Sequence, residues 1–487
     1  MDAEEFRRLG HDLVERIARW LSSLPSRRVA GAASPEQVRS ALQNPPMPDY
    51  GRPADELLAR AAELLFEHST FTSHPRFWGY INGCAAPLGM LGDFLASAVN
   101  QNGSSWHVSP MATEMETQAI RWIAELIGYP ADADGILVSG GNAGNFVGIW
   151  AARHAKLGPE VRSRGWPPGA CLYCSKETHT WIDKFADLSG LGTHAVRWLP
   201  SDAAQRLDVG ALRASLAQDR AAGRRPFCVI ATAGTVSTGA VDPIRALAEL
   251  CWKEDLWLHV DGAYGAPAAM LPEACEDLRA LARADSVALD PHKWLYVPIE
   301  AGCAFARQRG VLQQVFSHLP PYYHAFVDPA SRQTRVNFNE RGPQNTRGFR
   351  ALKVWLALQR AGRQGYVETI RGDIAMAREL HRLASERPEL EAGTQSLSIT
   401  TFRYAPSRLA AAGEQRLREV NESLLEALKK GGRAYVSHAL VGERLFLRAC
   451  VVNFRTRPAD LEALVEEVCR LGRQAEAAAE ASAGIHA

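Results

Sequence analysis

Two short runs in this chain put an acid and an amine where they could act on the same molecule. His259-Val260-Asp261-Gly262-Ala263-Tyr264 closes one apolar stretch, and Asp290-Pro291-His292-Lys293-Trp294 closes the next, Ser286-Val287-Ala288-Leu289. An amine at a strand end can condense with an aldehyde. A carboxylate nearby can hold a ring nitrogen protonated, so that the ring takes up electrons. Pyridoxal 5'-phosphate (PLP) is a cofactor that needs both groups.

Each residue also has a plainer reading. Burial disfavours the ammonium form of a lysine and so favours a nucleophilic amine at Lys293; a strand-end lysine that caps a helix would look the same. Asp261 is drawn inward by Trp257-Leu258-His259-Val260, and a buried carboxylate requires a cationic partner. A pyridinium would serve, and so would a structural salt bridge. Gly262, Ala263 and Gly265 would let a flat ring come close. The run Val138-Ser139-Gly140-Gly141-Asn142-Ala143-Gly144-Asn145 stands between a strand and a helix, where free amides can wrap an anion. Its spacing is not that of a dinucleotide loop, and a purely structural turn is the rival. His179 follows another strand and could stack on a ring or simply pack; Thr232 is equally ambiguous alone. The order decides. Anion loop, histidine, threonine, aspartate and His-Lys each end a successive strand.

The elements that would position these groups alternate. Strands are predicted at Gly135–Val138, Ala170–Tyr173, Phe227–Ala231, Leu256–Val260 and Ser286–Leu289, and helices at Glu114–Ile127, Asn145–Lys156, Asp208–Arg220 and Pro243–Glu254. That alternation means a mostly parallel sheet covered on both faces, with ligands beyond the carboxyl ends of its strands. Domains are expected at 1–72 (a helical arm for dimer packing), 73–362 (a large cofactor-binding α/β domain) and 363–474 (a smaller C-terminal α/β domain), with a frayed tail at 475–487. Helices at Tyr366–Leu383 and Glu414–Lys429 and strands at Leu397–Phe402 and Leu445–Ala449 make up the smaller domain.

Composition adds limits. The 487 residues are 46% hydrophobic and 22% charged, with a formal charge of +1, so nothing electrostatic favours nucleic acid or an anionic membrane. No apolar run reaches the roughly 20 residues of a membrane helix. The acidic start, Met1-Asp2-Ala3-Glu4-Glu5, lacks the order of a signal peptide, and the expected location is cytoplasmic. The nine cysteines have no disulfide-scaffold rhythm. Cys171 and Cys174 read as buried strand thiols in place of a metal pair, and no metal site is expected.

Further blocks, His74-Pro75-Arg76-Phe77 and Ser105-Trp106-His107-Val108-Ser109-Pro110, join those above in a resemblance covering nearly the whole chain. The sequence resembles the group II PLP-dependent amino acid decarboxylases, which include aromatic L-amino acid, histidine and glutamate decarboxylases. The resemblance implies α/β architecture of PLP-dependent transferase fold type I, the aspartate aminotransferase type. Lys293 then holds the cofactor covalently, Asp261 pairs with the pyridine nitrogen, Ala263 packs on the ring and His179 stacks on the other face. Thr232 lies beside the ring, and Gly141, Asn142 and His292 hold the phosphate. Phe316-Ser317-His318-Leu319-Pro320-Pro321-Tyr322-Tyr323 matches a mobile loop whose tyrosine, Tyr322 with Tyr323 close behind, protonates the substrate carbon across a dimer interface. One subunit's loop near Asn345 and Thr346 is expected to touch the other's phosphate.

Asn142 stands where the family commonly has Ser or Thr, and Asp290 where it usually has Asn. The expected reaction is decarboxylation of an L-amino acid, aromatic by the likeness of the Trp106 block, in a homodimer. The expected substrate contacts are Trp78, Tyr80, Ile81 and Trp106. Oxidative decarboxylation to an aldehyde is the alternative, and a noncatalytic scaffold, which would be expected to lose Lys293 or Asp261, is a third reading.

Overall fold

The computed structural model describes residues 1–31, 33–43, 45–318 and 335–484. The chain forms two compact units. One contains Met1–Tyr80, Ala375–Thr394 and Ile399–Ala487; the other contains Ile81–Ile374 and Gln395–Ser398.

Twelve strands follow the chain among the described residues: β1 (Phe77–Trp78), β2 (Asp134–Val138), β3 (Ala170–Ser175), β4 (Val196–Leu199), β5 (Arg225–Thr232), β6 (Trp257–Asp261), β7 (Ser286–Leu289), β8 (Gly302–Ala306), β9 (Leu390–Ser396), β10 (Ile399–Tyr404), β11 (Tyr435–Val441) and β12 (Arg444–Cys450). The second unit is built on a seven-stranded sheet of order β2-β8-β7-β6-β5-β3-β4. Strands β4, β3, β5, β6 and β7 run parallel, and β8 runs antiparallel to both β7 and β2. Phe227 to Ala231 and Leu258 to Val260 are buried throughout, as continuous apolar strands covered on two faces must be. Register sets the site: Thr232 lies opposite Asp261, and Asp261 opposite Ala288. Three strand ends therefore deliver their side chains to one rim.

The helix Gly141–Leu157 packs on β5 to β8. It comes close because Gly148 has no side chain; a Cβ there would sit 2.5 Å from the His259 ring. His259 is fully buried and neutral. Its Nε2 meets Asn145 Oδ1 at 2.8 Å, its Nδ1 meets Ser286 Oγ at 2.8 Å, and Trp257 Nε1 donates to that same Oγ at 2.7 Å. Burial pushes its pKa down to about 4.

The end of β2 has its own brace. Arg347 and Glu116, 1% and 4% exposed at their side chains, form an ion pair at 2.5 Å. Leu137 donates its N–H to Glu116 Oε1 at 3.0 Å, and its carbonyl accepts from Arg347 Nη2 at 2.5 Å.

In the first unit the sheet order is β1-β11-β12-β10-β9, with β1 parallel to β11 and the β10–β12 and β11–β12 pairs antiparallel. Trp78, Phe402, Tyr404, Leu424, Leu447 and Leu464 belong to its core. Three helices, Ala3–Ser23, Pro35–Leu42 and Ala54–His68, precede β1.

Five of the expected strands of the large sheet are present within two residues at either end. Strands β4 and β8 are additional. The first is a half-exposed edge strand, and the second, Gly-Cys-Ala-Phe-Ala, is too rich in small residues to stand out. The predicted helix Tyr366–Leu383 is part of Ala351–Ser385, which is interrupted at Gly362 (φ 61°). The chain does not fray at Ala475; the helix Pro458–Gly484 continues past that residue. The reason is Glu476, whose carboxylate accepts from the Tyr404 hydroxyl at 2.9 Å and from Arg408 at 2.7 Å.

Candidate active site

Beyond the carboxyl ends of β5, β6 and β7 lies a cavity of about 370 Å³ within the second unit. Of the residues expected at the site, Ile81, Gly141, Asn142, His179, Thr232, Asp261, Ala263, His292 and Lys293 all line it.

Lys293 Nζ is 2.9 Å from Asp290 Oδ2, and the Asp290 side chain is 2% exposed. The other carboxylate oxygen, Asp290 Oδ1, is buried without a hydrogen-bond partner. Asp261, 6% exposed, accepts the Ala263 N–H on Oδ1 at 3.1 Å and the Trp181 indole N–H on Oδ2 at 2.7 Å. The His179 ring opens onto the cavity. Burial of the surrounding wall lowers its pKa, and the field of Asp261 opposes that shift. Its Nδ1 accepts the Trp181 backbone N–H at 3.2 Å. His292 is also drawn below its ordinary pKa, chiefly by burial, and its Nδ1 lies 2.7 Å from the Ala301 carbonyl oxygen.

Three features fit a flat aldehyde carrying a phosphate. Ser139, Gly140, Gly141 and Asn142 bring backbone to the cavity at the first turn of Gly141–Leu157, where unsatisfied amides favour an anion. Gly141 must be small, because a Cβ would fall 2.8 Å from Asp290 Oδ2 and 3.3 Å from the Ala263 methyl. The Thr232 hydroxyl is buried, faces the cavity wall and has no partner, as a group reserved for a ligand would be.

The profile described as "Pyridoxal-dependent decarboxylase conserved domain" matches residues 35–404. The chain belongs to the pyridoxal-dependent decarboxylase family. This decarboxylase is 34% identical over 476 residues to an aromatic-L-amino-acid decarboxylase of Bacillus atrophaeus, with 96% of this chain and 97% of the relative covered. It is 29% identical over 468 residues to a phenylacetaldehyde synthase of Petunia hybrida, covering 93% and 91%. Among solved structures, Oryza sativa TDC with PLP and tryptamine superposes with a TM-score of 0.90 at 28% identity, covering 97% of this chain and 99% of that one. The decarboxylase thus has fold type I, its cofactor is PLP, and it is a carboxy-lyase.

Several expected residues lie elsewhere. Trp78 is fully buried in the core of the first unit, and its indole N–H donates to Thr456 Oγ1 at 3.1 Å. This differs from the substrate contact expected of it, since no face of the ring is open to a ligand. Tyr80, 59% exposed, has its ring beside Tyr435. Trp106 donates to Glu114 Oε1 at 2.9 Å and lies under the Arg335 guanidinium. Neither lines the cavity of the single chain, and Asn345 and Thr346 are exposed away from its lining. Tyr322 and Tyr323 fall outside the described residues.

Sequence reasoning assigned no role to Trp181, Val236, Tyr264 or Asn145, all of which line the decarboxylase's cavity. The strand-end rule singled out Asp290, and carried three residues past Asp261 it would have reached Tyr264. Nothing in the sequence pointed to the Trp181 indole.

Proposed function

We propose that this decarboxylase converts an L-amino acid with an aromatic side chain to its amine and CO2. The observation that carries the reading is the meeting of Lys293, Asp261 and His179 in one cavity. The aromatic class is supported by the relatives and by Ile81, Val236 and Tyr264 in the wall. When bound, PLP supplies an electron sink for the pair released as the bond to the carboxylate breaks.

Lys293 Nζ is the group that holds the cofactor. Asp290 Oδ2, 2.9 Å away, would fix the direction of that amine. Asp261 holds the proton of the ring nitrogen, while Ala263 and His179 bracket the ring. Gly141, Asn142 and His292 hold the phosphate, and Thr232 contributes its hydroxyl beside the ring. Tyr322, or Tyr323 next to it, delivers the proton to the substrate carbon. Trp106 completes the substrate site only if a second chain adds to the wall.

A homodimer is part of this proposal. Leu91, Phe94, Leu95 and Val99 form an exposed stripe along the helix Pro87–Val99, with exposures of 48–54%, and a two-fold partner would cover it. Residues 1–72 act as the arm of that dimer, 73–362 as the cofactor domain and 363–474 as the small domain. No described helix is long and apolar enough to cross a membrane. The irregular cysteine spacing favours a reducing compartment, the cytoplasm.

The test is borohydride reduction of the PLP-loaded protein, peptide mapping, and a panel of amino acids scored for CO2, amine, aldehyde and peroxide. The expected results are a pyridoxyl group on Lys293 and amine from an aromatic substrate. A tag on another residue would remove the basis of the assignment. Aldehyde with peroxide in place of amine would install the second reading, oxidative decarboxylation, which the Petunia hybrida relative favours.

A further inference from the structure

We infer that Trp181 is a positioning residue that sets the nitrogen edge and one face of the cofactor site at once, through its indole N–H to Asp261 and its backbone N–H to His179. The inference rests on the assignment of Asp261 and His179 to the PLP ring.

Trp181 opens the helix Trp181–Leu188 and is 1% exposed. Its ring is held from the sides: Phe146 lies 6.3 Å away by centroids, and His259 meets it edge-on at 6.1 Å and 84°. A ring so enclosed cannot swing, so its N–H has a fixed direction. That N–H ends 2.7 Å from Asp261 Oδ2. With Ala263 N–H on Oδ1, the carboxylate has a donor on each oxygen, and its rotation about the Cβ–Cγ bond is fixed. A carboxylate oxygen that accepts one N–H still has a lone pair for a further donor, which is what a ring nitrogen needs from it.

The same residue acts on His179. Its amide donates to Nδ1 at 3.2 Å, so the neutral imidazole carries its proton on Nε2. Ring orientation and tautomer are thereby set from one side, and carboxylate orientation from the other. No other described side chain bonds to Asp261 while its main chain bonds to His179.

The experiment is a double-mutant cycle on PLP affinity, read by the fluorescence and absorption of the bound cofactor. Trp181→Phe should weaken PLP binding about tenfold, the loss typical of a hydrogen bond to a charged group. The pH profile of the absorption bands should shift with it. Trp181→Tyr, which offers an O–H donor, should recover part of the loss. In an Asp261→Asn background, Trp181→Phe should add less than about twofold. An equal tenfold loss in that background, or none in the wild type, would overturn the inference. A wild-type chain that does not bind PLP would overturn the cofactor assignment with it.

A second measurement needs no change at Trp181. In cofactor-free Asp261→Ala, the Raman band sensitive to indole hydrogen bonding should lose one strongly bonded N–H from the twelve tryptophans. An unchanged band would reject the bond on which the role depends.

Discussion

Replacing Arg347 by methionine should loosen the loop proposed to hold the phosphate without touching it. The Arg347–Glu116 pair is almost completely buried and clamps both backbone groups of Leu137, two residues before Ser139. Removing one member of a buried pair costs about 3–5 kcal/mol, because the other charge is left without compensation. Arg350 lies close enough to reduce that figure, since its Nη1 is 3.4 Å from the Leu137 carbonyl oxygen, so we expect about 3 kcal/mol. Amide hydrogen exchange in the cofactor-free protein reads this locally. Peptides covering Asp134–Val138 should exchange roughly a hundredfold faster in Arg347→Met than in the wild type. Arg347→Met with Glu116→Leu removes the stranded charge and should exchange more slowly than the single variant. If the single variant exchanges like the wild type, or the double variant faster than the single, the brace does not carry the energy assigned to it.

Two further outcomes are expected. Thr232→Val removes a hydroxyl that has no partner, so the stability of the cofactor-free protein should change by about 0.5 kcal/mol or less while PLP binds about fivefold more weakly; equal PLP affinity would show that the hydroxyl is no ligand. His259, with its pKa pushed from 6.5 down to about 4, stabilises the fold fully above 6.5 and loses that contribution as pH falls toward 4, because the unfolded chain takes up the proton first. The loss is about 3 kcal/mol at 1.36 kcal/mol per pKa unit. Asp242, pushed up to about 7 by burial, slopes in the opposite direction, so the measurement is the difference in urea midpoint between wild type and His259→Gln from pH 7 to 4. A difference independent of pH would refute the assignment.

The large sheet was legible because its central strands are continuous apolar runs that end in polar residues. The same feature made Lys293, Asp261, Thr232 and His179 findable, each at a strand end and each brought to one cavity. Strand β8 was hidden by its small residues, which carry no period. Trp78 misled because aromatic type suggests a pocket, whereas its surroundings, set by residues far along the chain such as Thr456, make it core. Trp181 was invisible for the reverse reason: its importance is a direction in space, fixed by Phe146 and His259, and local pattern carries no directions. The continuation of the last helix past Ala475 depended on Glu476 meeting Tyr404 and Arg408, again a distant pairing.

The unit that contains the cavity is not finished when residue 374 has been made. Gln395–Ser398 also belongs to it. Within that short turn the Ser398 N–H and hydroxyl meet the Tyr264 hydroxyl at 2.9 and 2.6 Å, and Leu397 closes on Gly234 and Gly265. During synthesis the cavity wall must therefore wait for a segment that leaves the ribosome well after the sheet. A cut before Gln395 would leave the cavity unit without this part of its wall, and chimaeras that exchange the C-terminal part must carry a turn shaped to seat against Tyr264.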